Sequence, residues 1–362
     1  MSVKRRKRSQ ELNPSRGFSI VRQSVLTKAL LLSFLVIGFY LPALHAGYIW
    51  DDRNVIENPN IVSPKGLFGL WRDPKSISAV ESGYWPLTYT SFWIEYRIWG
   101  DRPFGYHLTN VVLHLANAML VWLVLMRLGV PWAWFAALVY ALHPMRVESV
   151  AWVVERKDLL SGFFYLFSLK AYLSLSQTMR SRHYWFSLAW FICALLSKSV
   201  AVTLPAAILA ILWWRNGRIE RREVLRLIPF FAAGLVLSLL GMVLTRQSGQ
   251  LMEELGVVER FLVAGRAFWF YAVKTVLPFG LMAVFPKWSV DSTIWWQYLF
   301  PIFAALTFAV LWSLRERLGR GAFVSVFYFA LTLSPTLGFF NFPLFRYTYV
   351  TQRYAYLGSI GL

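Results

Sequence analysis

Apolar runs of about 20 residues return along the whole chain, and they limit its fold more than any other feature. The clearest lie at 29–46, 106–128, 159–175, 227–244 and 298–314. A helix rises about 1.5 Å per residue, so about 20 residues cross the roughly 30 Å hydrocarbon layer of a bilayer. Within that layer every backbone N–H and C=O must be satisfied inside the protein, which leaves helices or closed barrels. Alternating segments of about ten residues, the mark of a barrel, do not occur. The chain reads as all-α, a polytopic helical membrane protein with about 10–11 spans.

Only 15% of the residues are charged and 57% are apolar, where a soluble domain carries about a quarter charged. The net charge of +19 would suggest nucleic acid in a soluble protein. Here the basic residues gather at the ends of apolar runs, where they set orientation, so no nucleic-acid partner is expected. Residues 1–28 form a basic tail, with Lys4–Arg8, Arg16, Arg22 and Lys28 ahead of the first run. That places the N-terminus in the cytoplasm and the segment after residue 46 outside. The membrane domain is 29–362.

The first external loop covers about 47–105 and holds two aromatic, amphipathic stretches, 64–71 and 85–99, expected to lie on the outer leaflet. A charged second loop covers 143–158, after a span that begins at 132–142. Two short spans, 184–196 and 200–214, flank Lys198. The Arg-rich linker 215–226 reads as cytoplasmic, which puts Lys198 outside. The run 261–285 carries Arg266 and Lys274 and is expected to be interfacial or re-entrant, with both ends external. A span at 321–340 leads to an external segment, 341–353, and 354–362 reads as the start of a span that the chain does not complete. No solenoid-type repeat is visible. Cys193 has no second cysteine to pair with, and no H-E-x-x-H occurs, so a Cys/His zinc site lacks support.

In this topology the unusual polar residues fall on one side. Asp51 and Asp52 follow the first span. His107, His143, Glu148, Arg156, Lys157, Asp158, Lys198, Arg266, Lys274, Arg346 and Arg353 lie in external loops or near external helix ends. A charge within a span costs roughly 2.5–3.5 kcal/mol, so Arg266 and Lys274 call for a reason, and a phosphate at the membrane surface is one. A carboxylate can take the proton of an acceptor hydroxyl, and Arg or Lys can stabilise charge on a departing phosphate. The same residues would also serve as solvated loop carboxylates, a structural ion network, a divalent-metal site or a transport path. Transport predicts polar residues in both membrane halves and an inverted repeat, neither of which is seen. A scaffold role leaves Arg266 and Lys274 unexplained.

Six pieces in order, 49–56, 104–114, 143–160, 194–205, 270–278 and 353–361, resemble the membrane half of the transmembrane and tetratricopeptide-repeat O-mannosyltransferases and their bacterial relatives, within the C-type glycosyltransferase superfamily. The resemblance covers nearly all of the chain after the basic tail. It implies a GT-C-like fold and a polyprenyl-phosphate sugar as donor, with mannose or another hexose passed to a protein or glycan hydroxyl outside the membrane. It places the base on Asp51 or Asp52, with Asp51 favoured, and the charged loop on His143, Glu148, Arg156 and Asp158. Lys198, Lys274 and Arg353 become the lipid-phosphate residues, with Arg266 and Arg346 behind them. Gln352 stands where the family often has an acid, which removes one charge partner of Arg353. The repeat half, which usually engages the acceptor, is absent from these residues. A bacterial inner membrane, with the site facing the periplasm, is the expected location.

Overall fold

The computed structural model describes residues 14–78, 83–178, 181–247, 255–340 and 343–362. Among the described residues there is no strand, and five helical segments are long and apolar enough to cross a membrane. The protein is an all-α, polytopic membrane protein. The basic run at 4–8 and Arg180 lie outside the described residues.

The first helix, α1 (Pro14–Tyr40), begins inside the stretch read as tail, so the end of the tail and the first span are one rod. The loop after it is a folded cap made of α2 (Asp52–Ile56), α3 (Pro59–Val62), α4 (Gly66–Arg72), α5 (Lys75–Ser78) and α6 (Pro86–Trp99). Pro86 starts α6 where its missing N–H costs nothing, and Gly100, at φ +59°, ends it. Val55, Ile56, Ile61, Leu70, Tyr89 and Phe92 give the cap its own core, closed below by Tyr106, Val153 and Val154. Burying several such side chains at roughly 1.5–3 kcal/mol each makes the cap a fixed roof, where two loose interfacial helices were expected.

The bundle beneath contains α7 (Pro103–Arg127), α8 (Ala133–Leu142), the short α9 (Val147–Ala151), α10 (Arg156–Thr178), α11 (Ser181–Ser197), α12 (Leu204–Asn216), α13 (Arg221–Gln247), α14 (Val257–Val276), α15 (Leu299–Ser313), α16 (Arg320–Leu333) and α17 (Ala355–Gly358). The spanning candidates are Ser24–His45, Pro103–Arg127, Ser199–Asn216, Arg221–Leu244 and Trp295–Ser313. The expected count of about 10–11 is not reached on length and apolarity. Helix α8 has 10 residues and α16 has 14. The remaining long helices carry polar side chains that are spent between helices. Ser168 donates to the Ser187 carbonyl at 2.7 Å and Ser187 to the Ser168 carbonyl at 2.9 Å, a close small-residue contact between α10 and α11.

Helix α14 ends at Val276, so 261–285 is not one apolar rod. Near its start Arg260 donates to the carbonyls of Gly338 and Phe339. Near its end the Tyr271 hydroxyl donates to the Thr351 carbonyl at 3.1 Å. Both ends therefore meet the connection that follows α16. The last residues do not begin a straight span. They turn tightly against α16, where Gly361 sits so close to the Ser325 carbonyl that a side chain would collide and Gly358 packs tightly on Thr332.

The knot beneath the cap is Arg156. Its Nε donates to Asn110 at 2.6 Å, one terminal nitrogen pairs with Glu95, and the other donates to the Tyr106 carbonyl at 2.8 Å. Asn110 in turn donates to the carbonyls of Val150 and Trp152, both at 3.2 Å. Both ions are buried, so removing one leaves the other unpaired. Arg156→Met is expected to destabilise the protein by about 3–5 kcal/mol, and Arg156→Met with Glu95→Leu to recover most of that loss. Thermal unfolding in detergent, with proteolysis of the cap as a second readout, checks this; a double variant as weak as the single one would refute it.

Candidate functional site

Under the cap, the loop between α8 and α10 meets the segment before α17. The meeting point is a buried cluster of three acids and three bases. Arg353 donates to Glu148 at 3.0 Å and lies 3.4 Å from Glu155. Lys157 lies 3.3 Å from the same Glu155 oxygen, Oε1. Lys198 pairs with Asp158 at 2.6 Å and lies 3.6 Å from Glu155. Glu155 therefore faces all three cations. Burial alone would raise its pKa, but Arg353, Lys157 and Lys198 outweigh that and hold it well below the usual carboxylate range. Glu148 goes the other way, raised by burial against the pull of Arg353 and the Thr351 hydroxyl.

Local folding explains how these groups converge. Lys198 sits at the break between α11 and the tight turn Ser199–Thr203, in an extended conformation. The Thr88 hydroxyl of the cap donates to the Ser197 carbonyl beside it at 3.0 Å. Arg353 is held from below. Tyr356 donates to His114 Nδ1 at 2.8 Å and accepts from Asn117 at 2.9 Å, since His114 Nε2 must carry the proton it gives to the Ala141 carbonyl. Arg146, fully buried, donates to the Ala355 carbonyl at 3.0 Å and to Ser359.

The two aspartates take different roles. Asp52 is fully buried and accepts from the Ile49 N–H at 2.9 Å and the Val154 N–H at 3.0 Å, which ties the start of the cap to the cluster loop. Burial pushes its pKa up to about 6, against the pull of those two bonds. Asp51 is half-buried, and its Oδ1 is enclosed without a hydrogen-bond partner. Just before it Trp50 stands at φ +46°, a costly conformation for a bulky residue, with most of its ring exposed. That ring is 4.7 Å from Trp152, and the Arg353 guanidinium lies 4.8 Å from the Trp152 ring. One edge-to-face tryptophan pair separates the Asp51 segment from the cluster.

The other candidates are dispersed. Arg156 belongs to the cap knot, and Glu148 pairs with Arg353. His107 is buried against the backbone of Gly47, Ala46 and Ala151. His143 joins the Met145 N–H to the Thr275 carbonyl, and burial lowers its pKa. Lys274 caps its own helix end through the Phe279 and Gly280 carbonyls. Arg266 stacks 4.5 Å from Trp288. Arg346 is exposed, beside Tyr347. Glu155 was not among the sequence candidates, yet it is the centre of the cluster. Its signal was the spacing to Asp158, which sets two acids on one side of a helix start. Lost charge on Arg353 from Gln352 is made good by Glu148 and Glu155. Among the described residues no group of three or more His, Cys, Asp or Glu side chains is disposed to hold a metal ion, and the cluster acids are engaged by cations.

A carboxyl with a raised native pKa binds its proton more tightly folded than unfolded. Stability then falls as pH rises from the ordinary aspartate value to about 6, because ionisation costs more in the folded state. The melting temperature of the wild type is expected to drop relative to Asp52→Asn across about pH 4 to 6. A constant difference over that window would rule out Asp52 as the titrating group.

No family model matches the chain, and no solved structure matches it. It is similar to the Drosophila melanogaster protein O-mannosyl-transferase Tmtc1, 37% identical over 186 residues, which cover 47% of this chain and 21% of that protein. The human protein O-mannosyl-transferase TMTC2 is 31% identical over 194 residues, covering 49% of this chain and 23% of that protein. The mouse protein O-mannosyl-transferase TMTC3 is 33% identical over 150 residues, covering 39% and 16%. About half of this chain is thus similar to proteins of that name, over less than a quarter of their own length.

Proposed function

We propose that the protein is a C-type glycosyltransferase of the transmembrane and tetratricopeptide-repeat O-mannosyltransferase family. It moves a hexose, mannose before others, from a polyprenyl-phosphate carrier to a hydroxyl of a protein or glycan. The N-terminus is cytoplasmic and the cluster works on the opposite face, the periplasmic one in a bacterial inner membrane. The similarity to proteins named O-mannosyl-transferases supports the class of reaction. The observation that carries the reading is the enclosed Asp51 oxygen, without a partner among the described residues, beside the edge-to-face Trp50–Trp152 pair that leads to Arg353.

Asp51 takes the acceptor proton as the acceptor oxygen attacks the anomeric carbon. The bond from that carbon to the phosphate oxygen breaks, and the phosphate leaves on its carrier. Arg353 and Lys198 meet the negative charge that develops there, in a setting where low dielectric strengthens the interaction. Glu155 and Asp158 hold both cations in place until the phosphate shares them. Asp52 aims Asp51 by fixing the loop to Val154. No step is assigned to a metal ion, since the cluster acids already serve cations.

Membranes carrying the full-length protein, supplied with radiolabelled polyprenyl-phosphate mannose, provide the test. Asp51→Asn at matched expression is expected to lower transfer by about 100-fold or more. Full transfer in Asp51→Asn with Asp52→Asn would remove the assigned base, and no transfer by the wild type or the variant would leave another donor or a non-catalytic scaffold.

A further inference from the structure

A second site lies on the outer face of the bundle, away from the cluster. Helix α15 has no fully buried residue; Phe308 packs on Phe268 and Phe323, while Phe303, Leu306 and Val310 are exposed on its outer side. Along it runs an open apolar groove of about 500 Å³, lined by Phe300, Phe303, Leu306 and Val310 and roofed by Trp269 of α14. The roof is rigid. The Trp269 indole donates to the Phe300 carbonyl at 3.1 Å, and Gly265 lies directly on the backbone of Pro301.

At the head of this groove is Arg266. Its guanidinium is 5.8 Å from the Phe300 ring and 4.5 Å from the Trp288 ring. It is half-buried, and among the described residues it makes no ion pair and no hydrogen bond. Stacking uses the flat face of a guanidinium and leaves its edge N–H groups to reach an anion, which phosphate oxygens accept in pairs. A cation at the top of an apolar groove, opening to lipid, is complementary to a phosphate head with a chain below it.

We infer that this groove binds an anionic glycerophospholipid of the surrounding leaflet, with its phosphate on Arg266 and one acyl chain along α15. Length selects this occupant. From Phe300 to Leu311 the helix rises about 16 Å, the depth of one leaflet, which an ordinary acyl chain fills and a polyprenyl chain far exceeds. Position agrees, because Arg266 has no contact with Arg353, Lys198 or Asp51. The inference does not depend on the transferase reading and is tested without turnover.

Native mass spectrometry of the purified full chain in detergent, titrated with phosphatidylglycerol, phosphatidylcholine or a long-chain polyprenyl phosphate, reads it directly. Phosphatidylglycerol is expected to bind about tenfold more tightly than phosphatidylcholine, a difference of about 1.4 kcal/mol. Arg266→Gln is expected to erase that preference, Arg266→Lys to keep part of it, and Leu306→Trp to block both lipids by filling the groove. Melting temperatures near wild type in Arg266→Gln and Leu306→Trp show that the fold survives. Should a variant unfold, lipid protection of Cys-labelling at Leu306→Cys in the wild-type background supplies the same comparison. Equal binding of both phospholipids, or an unchanged preference in Arg266→Gln, would overturn the site. Tighter binding of polyprenyl phosphate through Arg266 would overturn the assigned occupant.

Discussion

The buried guanidinium of Arg156 is the contact on which the rest of the site depends. It gathers α6 and α7, 46 to 61 residues upstream, onto one planar group at the start of α10. A buried pair of this kind is a weak source of net stability, since desolvation consumes most of the attraction. Its value here is geometric. A planar fork satisfies three partners only in one arrangement, so the cap, the second span and the cluster loop lock in register. The neighbouring residues 155, 157 and 158 then have no choice of direction, and their charges meet Arg353 and Lys198.

That cluster balances three acids against three bases, and the balance shapes its chemistry. Cations left without acids in a low-dielectric pocket would be costly, and acids left without cations would take up protons. Held as pairs, the cations stay charged and aimed. On the proposed reading, a phosphate entering this pocket would take over part of a site already polarised, with the acids left to neutralise the cations again. Asp51 stands outside this balance, with an oxygen that no donor in the fold satisfies. A carboxylate kept free beside a neutralised cluster is what proton transfer from a hydroxyl requires.

The helical membrane class was legible in the sequence, because it follows from apolar length and the rarity of charge in it. The cap was legible as amphipathic helices but not as a folded unit, since its core forms only when Tyr106 and Val153 arrive from other segments. Five described segments are long and apolar enough to cross, and helices such as α10 and α11 hide serines between them. The pairing of Glu148 with Arg353 joins residues about 200 positions apart, and no local pattern announces it. Glu155 was hidden for the same reason: two of its three cation partners, Lys198 and Arg353, come from distant segments. Lys274 and Arg266 looked alike on one helix face, yet one caps a helix end while the other stacks on Trp288, a difference set by the irregular chain after Val276.

Arg353 also shows how the far end of the chain is made part of the site. It lies between two anchors that do not involve its own charge. Upstream, the Thr351 backbone exchanges hydrogen bonds with the Tyr271 hydroxyl of α14, and downstream Tyr356 is fixed between His114 and Asn117 of α7. Arg146 holds the turn between them through Ala355 and Ser359. A segment with so short a helix has little stability of its own. Its order comes from α7 and α14, so the position of Arg353 reports the packing of the two helices that bracket it. The charge that the cluster needs is thereby coupled to the bundle as a whole, and a displacement of α14 would be felt at Arg353 before it was felt at Asp51.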